Sequence, residues 1–137
     1  MGIFNNINEK VNKIERQLIR KPPLFLTSYT QDTDGGLFQW KTVNASPGLV
    51  QNGNNVRINF NCILIILVDA IKLDKGEAKL QLKNKENVIL QSYNAKNNRK
   101  NESISINYAN EFKINDVIYI NSLNVMNIQL TIYGSII

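Results

Sequence analysis

From Val56 to Val68 every second residue is apolar: Val56, Ile58, Phe60, Cys62, Leu64, Ile66 and Val68. A period of two belongs to an extended strand, whose side chains alternate between its faces, and not to a helix. The positions in between change character along the run, from Arg57, Asn59 and Asn61 to Ile63, Ile65 and Leu67. The second half of this strand is therefore apolar on both sides. One side is buried by the domain's own opposing sheet. The other needs a further cover, either another element of the same domain or another copy of the chain.

The same reading extends over most of the chain. Strands are expected at Leu24 to Thr30, Trp40 to Val43, Leu49 to Val50, Val56 to Val68, Glu77 to Lys83, Val88 to Tyr93, Ser103 to Tyr108, Val117 to Ile120 and Ile128 to Ile137. Turn residues punctuate them: Asp32 to Gly36, Pro47-Gly48 and Gly53-Asn54-Asn55. Eight or more short strands with no interior helix predict an all-β jelly-roll β-sandwich. At 137 residues there is room for one core of ordinary size and not for two domains.

The first 21 residues follow a different period. Phe4, Ile7, Val11, Ile14 and Leu18 are spaced alternately by three and four, the seam of a coiled coil with Phe4 at an a position. Lys10, Val11, Ile14 and Glu15 then fall at g, a, d and e, similar to a short trimer-specifying coiled-coil signature with Lys where Arg is usual. Such a short helix is marginal alone and takes its stability from packing, either against copies of itself or, alternatively, against its own domain. Pro22-Pro23 ends it. The expected organisation is a trimeric stalk over residues 1–21 and a head over 22–137. Because a stalk brings subunits together, the uncovered face of the long strand is assigned to the subunit interface.

Several chemistries are disfavoured by residues the chain lacks. There is no histidine, which removes the commonest general base and the usual zinc ligand. Cys62 is the only cysteine, so no intrachain disulfide forms, and in an apolar strand its thiol pKa should rise. Phosphate-binding glycine loops are missing. No catalytic residue, cofactor or metal site is expected, and the protein is read as non-enzymatic. Asp32 and Asp34 offer oxygen ligands to calcium but lack the rest of a recognised loop, so a hairpin turn is the simpler reading. Trp40 and Tyr93 would stack on sugar rings if exposed, although sandwich aromatics are usually partly buried.

The formal charge is +5, with Lys72, Lys75, Lys79, Lys83 and Lys85 in the middle of the chain and Lys96, Arg99 and Lys100 in one loop. A solvated sheet face accounts for the alternating lysines, and the loop lacks the interleaved aromatics of single-strand binders, so no nucleic-acid partner is expected. No apolar run approaches the roughly 18 residues needed to cross a bilayer, so no membrane insertion is expected, and the N-terminus does not look like a secretory signal.

The order of features resembles the tumour necrosis factor and complement C1q-like trimeric jelly rolls. Asn55-Val56-Arg57-Ile58-Asn59-Phe60 stands in place of that family's Gly-x-Tyr-x-Phe strand, and Glu77 to Leu82 is a further similar stretch. Phe112-Lys113-Ile114-Asn115-Asp116-Val117 matches Leu-x-x-Gly-Asp-x-Val with Asn115 at the glycine and Val117 one place early. Ile132-Tyr133-Gly134-Ser135-Ile136 matches Phe-x-Gly-x-Leu. The resemblance implies a homotrimer whose inner sheets meet at a threefold axis, with Ile63, Ile65 and Tyr119 toward that axis. The expected function is an attachment or receptor-binding head for a protein or glycan, displayed on a virion or cell surface. A structural coat component and a secreted cytokine-like ligand are the alternatives.

Overall fold

The computed structural model describes residues 23–30 and 40–137. The coiled-coil seam of Phe4, Ile7, Val11, Ile14 and Leu18, and the Asp32 and Asp34 turn, lie outside the described residues. Among the described residues ten strands follow one another: β1 (Leu24–Thr30), β2 (Lys41–Ala45), β3 (Leu49–Asn52), β4 (Asn55–Ile58) and β5 (Cys62–Lys72), then β6 (Gly76–Asn84), β7 (Ile89–Asn97), β8 (Ser103–Phe112), β9 (Val117–Leu123) and β10 (Val125–Ile136). They form two five-stranded antiparallel sheets, in the orders β2-β1-β10-β5-β8 and β3-β4-β9-β6-β7. This is the expected jelly-roll sandwich.

The period-two pattern becomes the core directly. Leu64, Ile66, Val68 and Ala70 of β5 face inward from the first sheet with Leu26, Ile106, Leu130 and Ile132. Val56, Ile58, Ala78, Leu80, Leu82, Ile118 and Ile120 face them from the second. Each fully buried Leu or Ile contributes roughly 1.5–3 kcal/mol, so the alternation fixes which face of each strand points inward.

The long strand differs from expectation in one respect. Val56 to Val68 is two strands in two sheets, β4 and β5, joined by a crossing at Asn59, Phe60 and Asn61. The parity survives because the crossing has an odd number of residues and both sheets present their inner faces to the same core. Polar groups hold the crossing in place. The Asn59 N–H donates to the Gly48 carbonyl at 3.0 Å, and Asn61 Oδ1 accepts from the Ile114 N–H at 2.9 Å. A side chain at Gly48 would run into Leu24 and the Phe60 ring.

Asparagine does much of the turn work. All five non-glycine residues with positive φ among the described residues are asparagines: Asn87, Asn101, Asn115, Asn124 and Asn127. Its short amide bonds locally and tolerates the left-handed region better than other side chains. Asn115, with φ 73, occupies the position where the resembled motif has glycine. Its N–H donates to the Ile58 carbonyl at 2.8 Å, and Asp116 Oδ2 accepts from the Lys113 N–H at 2.7 Å, closing the turn against the end of β4. Asparagine, after glycine, is a residue that adopts this backbone readily. Gly134 is needed for space, since a Cβ there would collide with the Ile63 carbonyl on the neighbouring strand.

Candidate functional site

The outward faces of the two sheets differ in chemistry. On the first sheet, residues paired across four strands form one row, Phe25–Tyr133–Ile65–Ala109. Ile63 and Leu67 flank Ile65 on β5, and Tyr29 extends the apolar area on β1. Ile63 is 47% exposed and Tyr133 46%. Thr27, Thr131, Asn107, Ser135 and Glu111 border the row. An apolar centre inside a polar rim is the anatomy of a protein interface.

On the second sheet the outward row at the same level is Asn55–Tyr119–Lys83–Ile89, with Gln81, Lys79, Arg57 and Lys96 around it. Lys79 pairs with Glu77 at 3.3 Å and Lys85 with Asp116 at 3.5 Å. The alternating lysines at positions 79 and 83 thus lie on an exposed sheet face, as expected.

Sequence reasoning grouped Ile63, Ile65 and Tyr119 on one inner sheet. Ile63 and Ile65 share the apolar face, but Tyr119 does not: β9 belongs to the second sheet, and Tyr119 points outward beside Asn55 and Lys83. The error lies in sheet membership, which strand parity does not encode. The tyrosine that does lie opposite Ile65 is Tyr133 of β10. The missed signal was Tyr133 itself, the odd residue between Ile132 and Gly134 on an otherwise alternating strand.

The remaining candidates are scattered. Cys62 is fully buried, and desolvation raises its thiol pKa, with the Asp116 charge adding to the shift. Trp40 packs partly buried against the core, while Tyr93 is 39% exposed on edge strand β7. One shallow hollow lies between β8 of the first sheet and the second sheet, and another lies on the second sheet. The first, of about 160 Å³, includes Lys85, Leu90, Tyr108, Asn110 and Phe112, and the other, of about 170 Å³, includes Asn84, Lys85, Tyr119 and Asn121. Both fall below the roughly 300 Å³ at which small-molecule sites usually begin. The described residues contain no group of three metal-ligating side chains, and no described helix is long and apolar enough to cross a membrane.

Solved structures similar to this chain identify the architecture. The crystal structure of murine APRIL at pH 5.0 superposes with a TM-score of 0.70 at 12% identity, covering 82% of this chain and 99% of that one. The globular domain of zebrafish complement 1qA protein gives 0.60 at 13% identity, covering 83% and 97%. Bushbaby GITRL gives 0.57 at 13% identity, covering 82% and 96%. No protein-family model matches the sequence, and no curated protein sequence matches it. The fold is the tumour necrosis factor and C1q-like jelly roll. The resemblance seen in the short sequence motifs is borne out at the level of the fold.

Proposed function

We propose that the protein is a homotrimeric, non-enzymatic head that binds a protein or glycan receptor and is displayed on a particle or cell surface, with residues 1–21 as its stalk. The observation that carries this reading is the apolar row Phe25–Tyr133–Ile65–Ala109 on the first sheet, set against a lysine-bearing face on the second. Packing the first sheets of three copies around an axis covers the row, and it leaves the second sheets and the loops outward.

A second reading, a free cytokine-like ligand, draws on the likeness to APRIL and GITRL, both tumour necrosis factor family ligands. Both readings need a trimer that binds a receptor. The test applies the purified full chain to a glycan array and to intact cells. Saturable binding to either supports a receptor-binding head. Assembly into larger ordered particles with no cell or glycan binding would replace it with a structural coat role.

A further inference from the structure

Among the described residues Lys72 is the only fully buried charged side chain. It ends β5, the strand of the two-faced pattern, and points inward like Ala70 and Val68 before it. The ion pairs among the described residues join Lys79 to Glu77, Lys85 to Asp116 and Lys100 to Asp74, and Lys72 takes part in none of them. An ammonium buried without a carboxylate partner is strongly disfavoured, so its surroundings call for an explanation.

Those surroundings centre on one amide. Lys72 Nζ donates to Asn97 Oδ1 at 2.8 Å and to the Asn97 backbone carbonyl at 2.9 Å. Asn97 Oδ1 also accepts from the Arg99 N–H at 3.0 Å. Its Nδ2 donates to Glu102 Oε2 at 2.8 Å. The backbone fixes this set. The Lys72 N–H donates to the Glu102 carbonyl at 2.8 Å, and the Asn101 N–H donates to the Lys72 carbonyl at 2.9 Å, with Asn101 in the left-handed region at φ 58.

The arrangement supplies what amide exchange needs. A fully buried amine is held against a half-buried amide, which replaces a bimolecular encounter with a fixed geometry. The Arg99 N–H sits on the carbonyl oxygen, where negative charge develops as the carbon is attacked. A carboxylate sits on the nitrogen that must leave, placed to carry a proton to it. We propose that Lys72 and Asn97 form an intramolecular isopeptide bond, with Glu102 as the proton carrier.

In this step Nζ attacks Cγ of Asn97, a new C–N bond forms and the bond from Cγ to Nδ2 breaks. The lysine ammonium starts with three hydrogens on Nζ and keeps one. The other two pass to Nδ2, which departs as ammonium, and Glu102 ends as it began. Nothing is oxidised or reduced, and no co-reactant is consumed. The product staples β5 of the first sheet to β7 of the second across a separation of 25 residues. It replaces a buried charge with a neutral amide. The staple is internal to one chain and does not depend on trimerisation.

The test is mass spectrometry of the purified full chain. The expected intact mass is lower than the sequence mass by one ammonia, and trypsin should release a branched peptide joining the Lys72 and Asn97 segments. The Asn52-Gly53 dipeptide can also lose ammonia by closing to a succinimide, but it gives no branched peptide. Glu102→Gln keeps a hydrogen-bonding partner for Asn97 while removing the proton carrier, and it should show the unmodified mass after the same handling. Closing a ring of about 25 residues should raise the wild-type melting temperature above that of Glu102→Gln by roughly 10 °C. Folded wild-type protein with the full sequence mass and no branched peptide would overturn the proposal, whatever the variant does.

Discussion

Replacing Ile65 by Asp tests which face brings the subunits together. Ile65 is half-buried on the outward side of β5, between Tyr133 and Ala109. In an isolated subunit the new carboxylate reaches water, so the fold should lose no more than about 1 kcal/mol, as for an ordinary surface change. In a trimer built on this row, three carboxylates would be desolvated near the axis at several kcal/mol each, and three isoleucine side chains would lose roughly 1.5–3 kcal/mol apiece of burial. The total is about 10 kcal/mol or more per trimer, roughly seven decades in the association constant. Size-exclusion chromatography with light scattering should show a monomer, while circular dichroism keeps its β-sheet spectrum. Gln81→Asp, on the outward face of the second sheet, should leave the trimer intact. An Ile65→Asp protein that stays trimeric with unchanged melting would show that the apolar row is not the interface.

Other outcomes follow from the turns, the stalk and the surface carboxylates. Asn115→Gly should be neutral or stabilising, whereas Asn115→Val should cost about 1–2 kcal/mol by forcing a β-branched residue to φ 73; equal melting temperatures for the two would remove the left-handed argument. Deleting residues 1–21 should leave a folded trimer that melts modestly lower, because about two heptads contribute little beside a sheet-sized interface. A truncated monomer with native circular dichroism would make the helix the organiser, and an unfolded one would mean it docks on its own domain. Asp74 and Glu77 both titrate below their ordinary ranges, Asp74 chiefly through the Lys75 N–H and then Lys100, Glu77 chiefly through Lys79. In the acid range the unfolded chain therefore binds more protons than the folded one. The stability these groups add is complete above the ordinary carboxylate range and is lost as pH falls through their depressed folded values. Thermal melts should show this decline, weakened by added salt; equal acid sensitivity in Lys79→Met would dismiss the Glu77 part.

Much of the fold was legible because alternation is a local property. The inward residues of β4 and β5 were named by alternation alone, since a one-residue slip would have put Val56, Leu64 or Ile66 in water. Sheet membership was not legible in the same way. Nothing local marks Asn59 to Asn61 as a crossing rather than a continued strand, and nothing local sends β9 to the second sheet, so Tyr119 was put on the wrong face and Tyr133 was overlooked. Lys72 shows the limit most clearly. In sequence it is one lysine among several in a basic stretch, and only the pairing of its backbone with Asn101 and Glu102 brings a buried amine against the Asn97 amide. The five left-handed asparagines lie between these cases. Asn115 stood at a motif glycine, but which asparagines bend the chain depended on register.

Association itself is the claim on which the proposed function rests, and the mass of the intact protein in solution measures it directly. Multi-angle light scattering of the full chain at low micromolar concentration should give three times the chain mass of 15.6 kDa, with no shift on dilution. A single-chain mass over that range would contradict the account, because the apolar row would then stand open to water.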